Sequence, residues 1–122
     1  MSRGMSTEDY LKHHEGLCER GRALSCKKNN DYAAPDAHAD DPMRVFRNFV
    51  AVEKLGICSA ETGFLVRLTD KFTRLINLTD PEHTQMVADE SIEDTEVDII
   101  NYICLLSAYR KNKRQQKTER DK

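Results

Sequence analysis

From Ser59 to Leu78 the chain reads SAETGFLVRLTDKFTRLINL, and Phe64, Leu65, Leu68, Phe72, Leu75 and Ile76 recur three and four residues apart. That spacing puts them on one side of an α-helix and suits no strand. No other segment alternates apolar and polar residues for more than a few positions, and no Asn-Gly or Asp-Gly pair marks a hairpin turn. A chain patterned in this way offers no half-buried strand from which to build a sheet. It has to bury helical stripes against one another.

Three more segments fit that requirement. STEDYLKHHEGLCERGRALSCKKNNDY predicts a first helix, capped by Ser6 or Thr7, with Glu8 and Asp9 in the first turn where carboxylates suit the positive end of the helix dipole. Its apolar positions are Tyr10, Leu11, Leu17, Cys18 and Leu24, and Gly16 and Gly21 leave open a division into two shorter pieces. PMRVFRNFVAVEKLG, Pro42 to Gly56, predicts a second helix, with Pro42 in its first turn and Gly56 as its stop. Ser59 caps the third. SIEDTEVDIINYICLLSAYRKNK predicts a fourth, with Ser91 as its cap and Glu93 and Asp94 in its first turn. The long loop is AAPDAHADDP, residues 33–42, too rich in Pro, Asp and Ala for a packed element. The expected fold is all-α, a compact bundle of about four helices, with this loop between the first and second.

Length and charge refine the expectation. A chain of 122 residues suits a single domain, here residues 1–109 followed by a basic tail, 110–122. The tail, RKNKRQQKTERDK, has seven basic and two acidic residues, a net of +5 in a chain whose total is −2, so the remainder is net −7. Such a tail reads as a solvated, fraying helix end, or as a surface for nucleic acid. No apolar run reaches the length of a membrane span and no signal peptide is read at the start. The four cysteines form no C-x-x-C pair, so the expected setting is a reducing cytoplasm, with Cys58 and Cys104 as small core residues. His13, His14, Cys18 and Cys26 match no zinc spacing. Phosphate-loop, dinucleotide-fold, zinc-protease and serine-hydrolase motifs are absent.

The chemistry, if there is any, lies where acids run into the fourth helix. On a helical wheel Val97, Ile100, Ile103 and Cys104 share one face, while Asp94, Asp98 and Asn101 share another that continues as Tyr102, Leu105 and Tyr109. A helix apolar on nearly every side is expected to be buried, and carboxylates at its mouth need partners. Two carboxylates four residues apart suit Mg²⁺. Equally, Arg67, Lys71 and Arg74 of the third helix are positioned to pair with Asp94 and Asp98 or to reach phosphate oxygens. A purely structural alternative is an Arg67–Asp70–Arg74 ion-pair ladder along the third helix, with Asp94 as an ordinary first-turn acid. Asp31 reads as a turn residue and Asn48 as a buried amide on the same bland terms.

KNNDY, FRNF, RLTDKFTRLINL and DESIEDTEVDIINY occur in this order. With them the chain resembles the first nucleotide-modification-associated domain family, small proteins found largely in bacteriophages, over about Lys28 to Leu106. The matching positions are Lys28, Asp31, Tyr32, Asn48, Arg67, Asp70, Lys71, Arg74, Glu90, Ser91, Asp94, Thr95, Asp98, Asn101 and Tyr102; Ala33 stands where the family pattern has Gly. A looser likeness is to the all-α nucleoside triphosphate pyrophosphohydrolases, whose last acidic motif Asp94 and Asp98 echo, although Glu53 and Glu61 do not form their E-E-x-x-E element.

The resemblance implies a phage-type nucleotide-handling protein in the host cytoplasm. Lys28, Arg67, Lys71 and Arg74 would meet a (deoxy)nucleotide phosphate. Asp94 and Asp98, with Asp70 or Glu90, would hold Mg²⁺. Asp31 belongs to the nucleotide-binding set, and Tyr32, Asn48 and Asn101 would stack on or read the base. Were it an enzyme, Mg²⁺-assisted cleavage of a phosphate ester or anhydride would suit those groups. Two other readings stand beside it: a non-catalytic binder that sequesters a nucleotide or attaches to a phage or host protein, and a nucleic-acid adaptor working through the basic tail. A bundle of this size also leaves room for a homodimer through an exposed apolar face.

Overall fold

The computed structural model describes residues 4–32, 46–82 and 89–121, with side chains over 4–27, 46–82 and 92–121. Four helices follow one another: α1 (Thr7–Tyr32), α2 (Arg47–Lys54), α3 (Ala60–Thr79) and α4 (Asp89–Arg120). No strand occurs among the described residues. The all-α bundle is as expected, and the 33–42 loop lies outside the described residues, as does the start assigned to Pro42.

The helix ends follow from local chemistry. Ser6 Oγ accepts the Asp9 N–H at 3.1 Å while Asp9 Oδ2 accepts the Ser6 N–H at 3.2 Å, a reciprocal cap for α1. α1 then runs unbroken for 26 residues, so Gly16 and Gly21 do not divide it. A helical glycine costs about 1 kcal/mol against alanine, too little to end a helix that docks on a neighbour. Gly21 is where it docks: a Cβ there would stand 2.9 Å from Asn101 Oδ1 and 3.8 Å from Val97 Cγ1. α2 ends as Gly56 predicts. Its φ of 75° is a left-handed conformation that other residues adopt at a cost. The Gly56 N–H donates to Glu53 O and the Ile57 N–H to Val52 O, each at 3.0 Å, which satisfies the last carbonyls. Ser59 caps α3 by accepting the Thr62 N–H at 3.1 Å. α4 begins two residues before the expected cap Ser91, and it continues through the basic segment to Arg120.

α3 and α4 run antiparallel, since Phe64 meets Tyr109 at one end and Lys71 meets Asp98 further along. α2 lies on α3, and α1 lies on α4. The core is at the α2 end. Phe64 is fully buried, stacked on Phe49 with ring centroids 3.8 Å apart, and Tyr109 sets its ring against both Phe64 and Phe46. Ala60 and Leu106 complete it, with Val50 and Leu105 packed alongside.

Several apolar positions are not where the spacing put them. Phe64 and Leu68 of the α3 stripe are buried, but Leu65, Phe72 and Ile76 are exposed, and on α4 Val97 is buried while Ile103 and Cys104 are exposed. The fourth helix is therefore not enclosed on nearly every side, and Cys104 is not a core residue. Neighbours reach α4 from only part of its circumference, so a stripe broader than that arc has to face outward. No helix is long and apolar enough to cross a membrane among the described residues.

Tyr109 carries a pH signature. Its hydroxyl donates to Glu53 Oε2 at 3.3 Å. Burial above all, then the Glu53 carboxylate and its hydrogen bond, and then the Glu61 charge, raise the phenol above its ordinary value of 10.0. The unfolded chain therefore releases this proton at lower pH than the folded one. The phenol's contribution to stability is complete below pH 10.0 and is lost as pH rises through the raised folded value. Urea denaturation below and above that pH should show wild type losing stability more steeply than Tyr109→Phe.

Candidate functional site: a polar valley between α1 and α3

α4 forms the floor of the valley. Asp94, Asp98 and Asn101 fall within one arc of its surface, as their spacing predicts. α3 supplies one wall and α1 the other. Lys71 Nζ donates to Asp98 Oδ2 at 3.1 Å, with the two side chains 26 % and 22 % exposed. Arg20 of α1 reaches over the other wall and forks, Nη1 to Glu93 Oε2 and Nη2 to Asp94 Oδ1. The two pairs differ in weight. The Arg20 fork is about half exposed, so solvent screens it to roughly 0–1 kcal/mol. The Lys71–Asp98 pair is largely withdrawn from water, and either charge would be costly to leave alone there.

The predicted site residues are brought together in part. Lys71, Asp94, Asp98 and Asn101 converge, with Asn101 beside Gly21 of α1. Arg67 and Arg74 lie one turn to either side of Lys71 on α3 and are exposed. Neither pairs with Asp94 or Asp98, and among the described residues no carboxylate stands within ion-pair distance of either; the Arg67–Asp70–Arg74 ladder is therefore not formed. Asp70 is exposed. Asn48 is exposed on α2 and is not a buried amide. Lys28, Asp31 and Tyr32 belong to the last turns of α1, and Glu90 and Ser91 to the first turn of α4, but their side chains lie outside the described residues.

Arg20 is the residue the sequence reading missed. Its signal was present: Leu17, Arg20, Gly21 and Leu24 fall at helical spacing, so an arginine sits inside the stripe with which α1 docks on α4.

A second charged region lies at the far end of α4. Arg110 Nε and Lys113 Nζ pair with Glu61 at 3.4 and 3.9 Å. An open groove of about 840 Å³ beside them is lined by Val50, Glu53, Tyr109, Arg114, Lys117 and Arg120, among others. Its cations, Arg110, Lys113, Arg114, Lys117 and Arg120, come from α4, and its carboxylates are Glu53, Glu61 and Asp121.

Chemically, the valley offers cations for an anionic ligand and carboxylates that hold two of those cations in place. Among the described residues no three His, Cys, Asp or Glu side chains gather as a metal-binding group. Asp94 and Asp98 each face a cation, so these donors by themselves do not fit a Mg²⁺ site. No family model, no curated protein and no solved structure matches the chain.

Proposed function

We propose that the protein binds a nucleotide or deoxynucleotide through its phosphates in the valley between α1 and α3. One observation carries this reading. Lys71 is fixed by Asp98, while Arg67 and Arg74 flank it on the same helix with no carboxylate partner among the described residues. Three cations along about two turns of helix, two of them without a counter-charge among the described residues, suit the spread of oxygens on a di- or triphosphate. Asn101 adds an amide donor and acceptor on the floor. The sequence resemblance to phage nucleotide-modification proteins supports the same class of ligand. Mg²⁺ belongs to this reading only as a partner of the ligand's own phosphates, because Asp94 and Asp98 are engaged by Arg20 and Lys71.

The test is calorimetric titration with ribo- and deoxynucleotides and the matching nucleosides, each with and without Mg²⁺, followed by ion-exchange analysis for products. Nucleotides should bind and nucleosides should not. Arg67→Ala and Arg74→Ala should each weaken binding about tenfold or more, the scale of a lost charged hydrogen bond. Product peaks would make the protein a Mg²⁺-assisted phosphohydrolase; binding without them makes it a sequestering protein. Absence of heat with every nucleotide, or unchanged affinity in both arginine variants, refutes the assignment.

A further inference from the structure

Of the ten large apolar residues exposed among the described residues, Leu65, Phe72, Ile76 and Ile103 gather on one flank, while Met5, Tyr10, Leu11, Leu55, Ile57 and Val66 lie elsewhere. On α3, Phe64 and Leu68 face α4 and Gly63 approaches Val52 of α2, while Leu65, Phe72 and Ile76 lie roughly 80–120° round from Phe64 on the opposite flank. On α4, Val97 and Asn101 face α1, while Ile92, Ile99 and Ile103 lie roughly 200–240° round from Val97. Because α3 and α4 are antiparallel, these two flanks meet on one side of the hairpin, the side away from α1 and α2. Leu65, Phe72, Ile76 and Ile103 are 51, 48, 68 and 49 % exposed there, and Ile92 and Ile99 are half-buried. The uncovered apolar surface is on the order of 400 Å², as large as the biggest patches of ordinary monomers and often functional when it is.

The geometry points to a second copy of this chain on that face, in a two-fold antiparallel arrangement that completes a four-helix bundle from two α3–α4 hairpins. Charge selects the occupant. α4 is acidic at one end, with Glu93, Asp94, Glu96 and Asp98, and basic at the other, with Arg110, Lys111, Lys113, Arg114, Lys117 and Arg120. Ile103 lies close to the middle of the helix. Two copies meeting at Ile103 in opposite directions set the acidic end of each α4 against the basic end of the other. Glu96 then faces the stretch from Arg110 to Arg114 of its partner, on the same flank as Ile103. A parallel arrangement would place like charges together.

The face itself carries no formal charge at Leu65, Thr69, Phe72, Ile76, Ile99 or Ile103, so the two-fold axis brings no repulsive pair together. A stable interface buries roughly 800 Å² per partner, so this patch would form its apolar centre and the polar residues around it the rim. An isologous pair also closes on itself, because each copy of this face is used once. The inference stands on this face alone and does not depend on nucleotide binding.

Sedimentation velocity of the full chain across a concentration series tests it. Wild type should sediment at twice 14.0 kDa. Phe72→Glu and Ile103→Glu should each raise the dissociation constant at least about a hundredfold, as central interface anchors do. Both positions are exposed in the single chain, so circular dichroism should show unchanged helix content. Glu96→Arg should weaken the dimer about tenfold through two like-charge contacts, and adding Arg114→Glu should restore it. A wild type that remains a monomer throughout, a Phe72→Glu variant that still dimerises, or a failure of the charge swap to restore association would each overturn the proposal.

Discussion

Replacing Phe64 by alanine is expected to destabilise the fold by about 3–5 kcal/mol, the range for truncating a fully buried aromatic, and to lower its melting temperature by roughly 10–20 °C. The ring is wholly buried, stacks on Phe49 and touches Tyr109. It thereby joins α2, α3 and α4 at a single point. The cavity would open in the only place where three helices share a buried cluster among the described residues, so little else can collapse to fill it. Since small domains are stable by only about 5–15 kcal/mol, the variant should be partly unfolded near physiological temperature. Phe64→Leu, which retains much of the volume, should cost about half as much or less. Phe49→Ala should be strongly non-additive with Phe64→Ala, because each removes the other's stacking partner. Urea denaturation followed by circular dichroism measures all three variants. A loss below about 1 kcal/mol for Phe64→Ala would mean that this cluster does not hold the bundle together.

Much of the fold could be read in the sequence because helix ends are local events. Ser59 before Thr62, the acids after Ser6, and Gly56 after a short apolar helix each act within a few residues. Which part of an apolar stripe would be covered could not be read in the same way. Leu65 and Leu68 follow the same spacing rule, yet one is exposed and the other buried. The difference lies in where α2 and α4 happen to approach α3, and that is set by contacts distant in sequence. The valley shows the same division. The arc of Asp94, Asp98 and Asn101 was visible from spacing alone, but the partners of the carboxylates were not. Asp98 takes Lys71, which was on the expected helix. Asp94 takes Arg20, more than seventy positions away, and only a wheel drawn for α1 as a docking helix would have found it. Gly21 was misread for a related reason. A glycine inside a helix looks like a weakness in one dimension, and it becomes a close-approach site once α4 is beside it.

The Lys71–Asp98 pair separates a structural valley from a binding one. Asp98→Ala leaves Lys71 without its partner at a site that is three-quarters withdrawn from water. It should destabilise the protein by about 1–3 kcal/mol, between the values for exposed and buried pairs. Lys71→Met takes the lysine partner from the Asp98 carboxylate and should also destabilise the protein. The double variant Lys71→Met with Asp98→Leu removes both charges of the pair and packs apolar groups of similar size in their place, so it should recover much of the stability lost in Asp98→Ala. Binding should follow a different course. Asp98→Ala keeps the Lys71 cation, merely less well held, and nucleotide affinity should fall modestly. The double variant removes that cation from between Arg67 and Arg74, and affinity should fall about tenfold or more although much of the stability is recovered. Stability and affinity would thus move in opposite directions between the single and the double variant. A pair that served packing alone would recover both together, so parallel recovery in the double variant would assign these residues to the architecture and remove the valley as the ligand site.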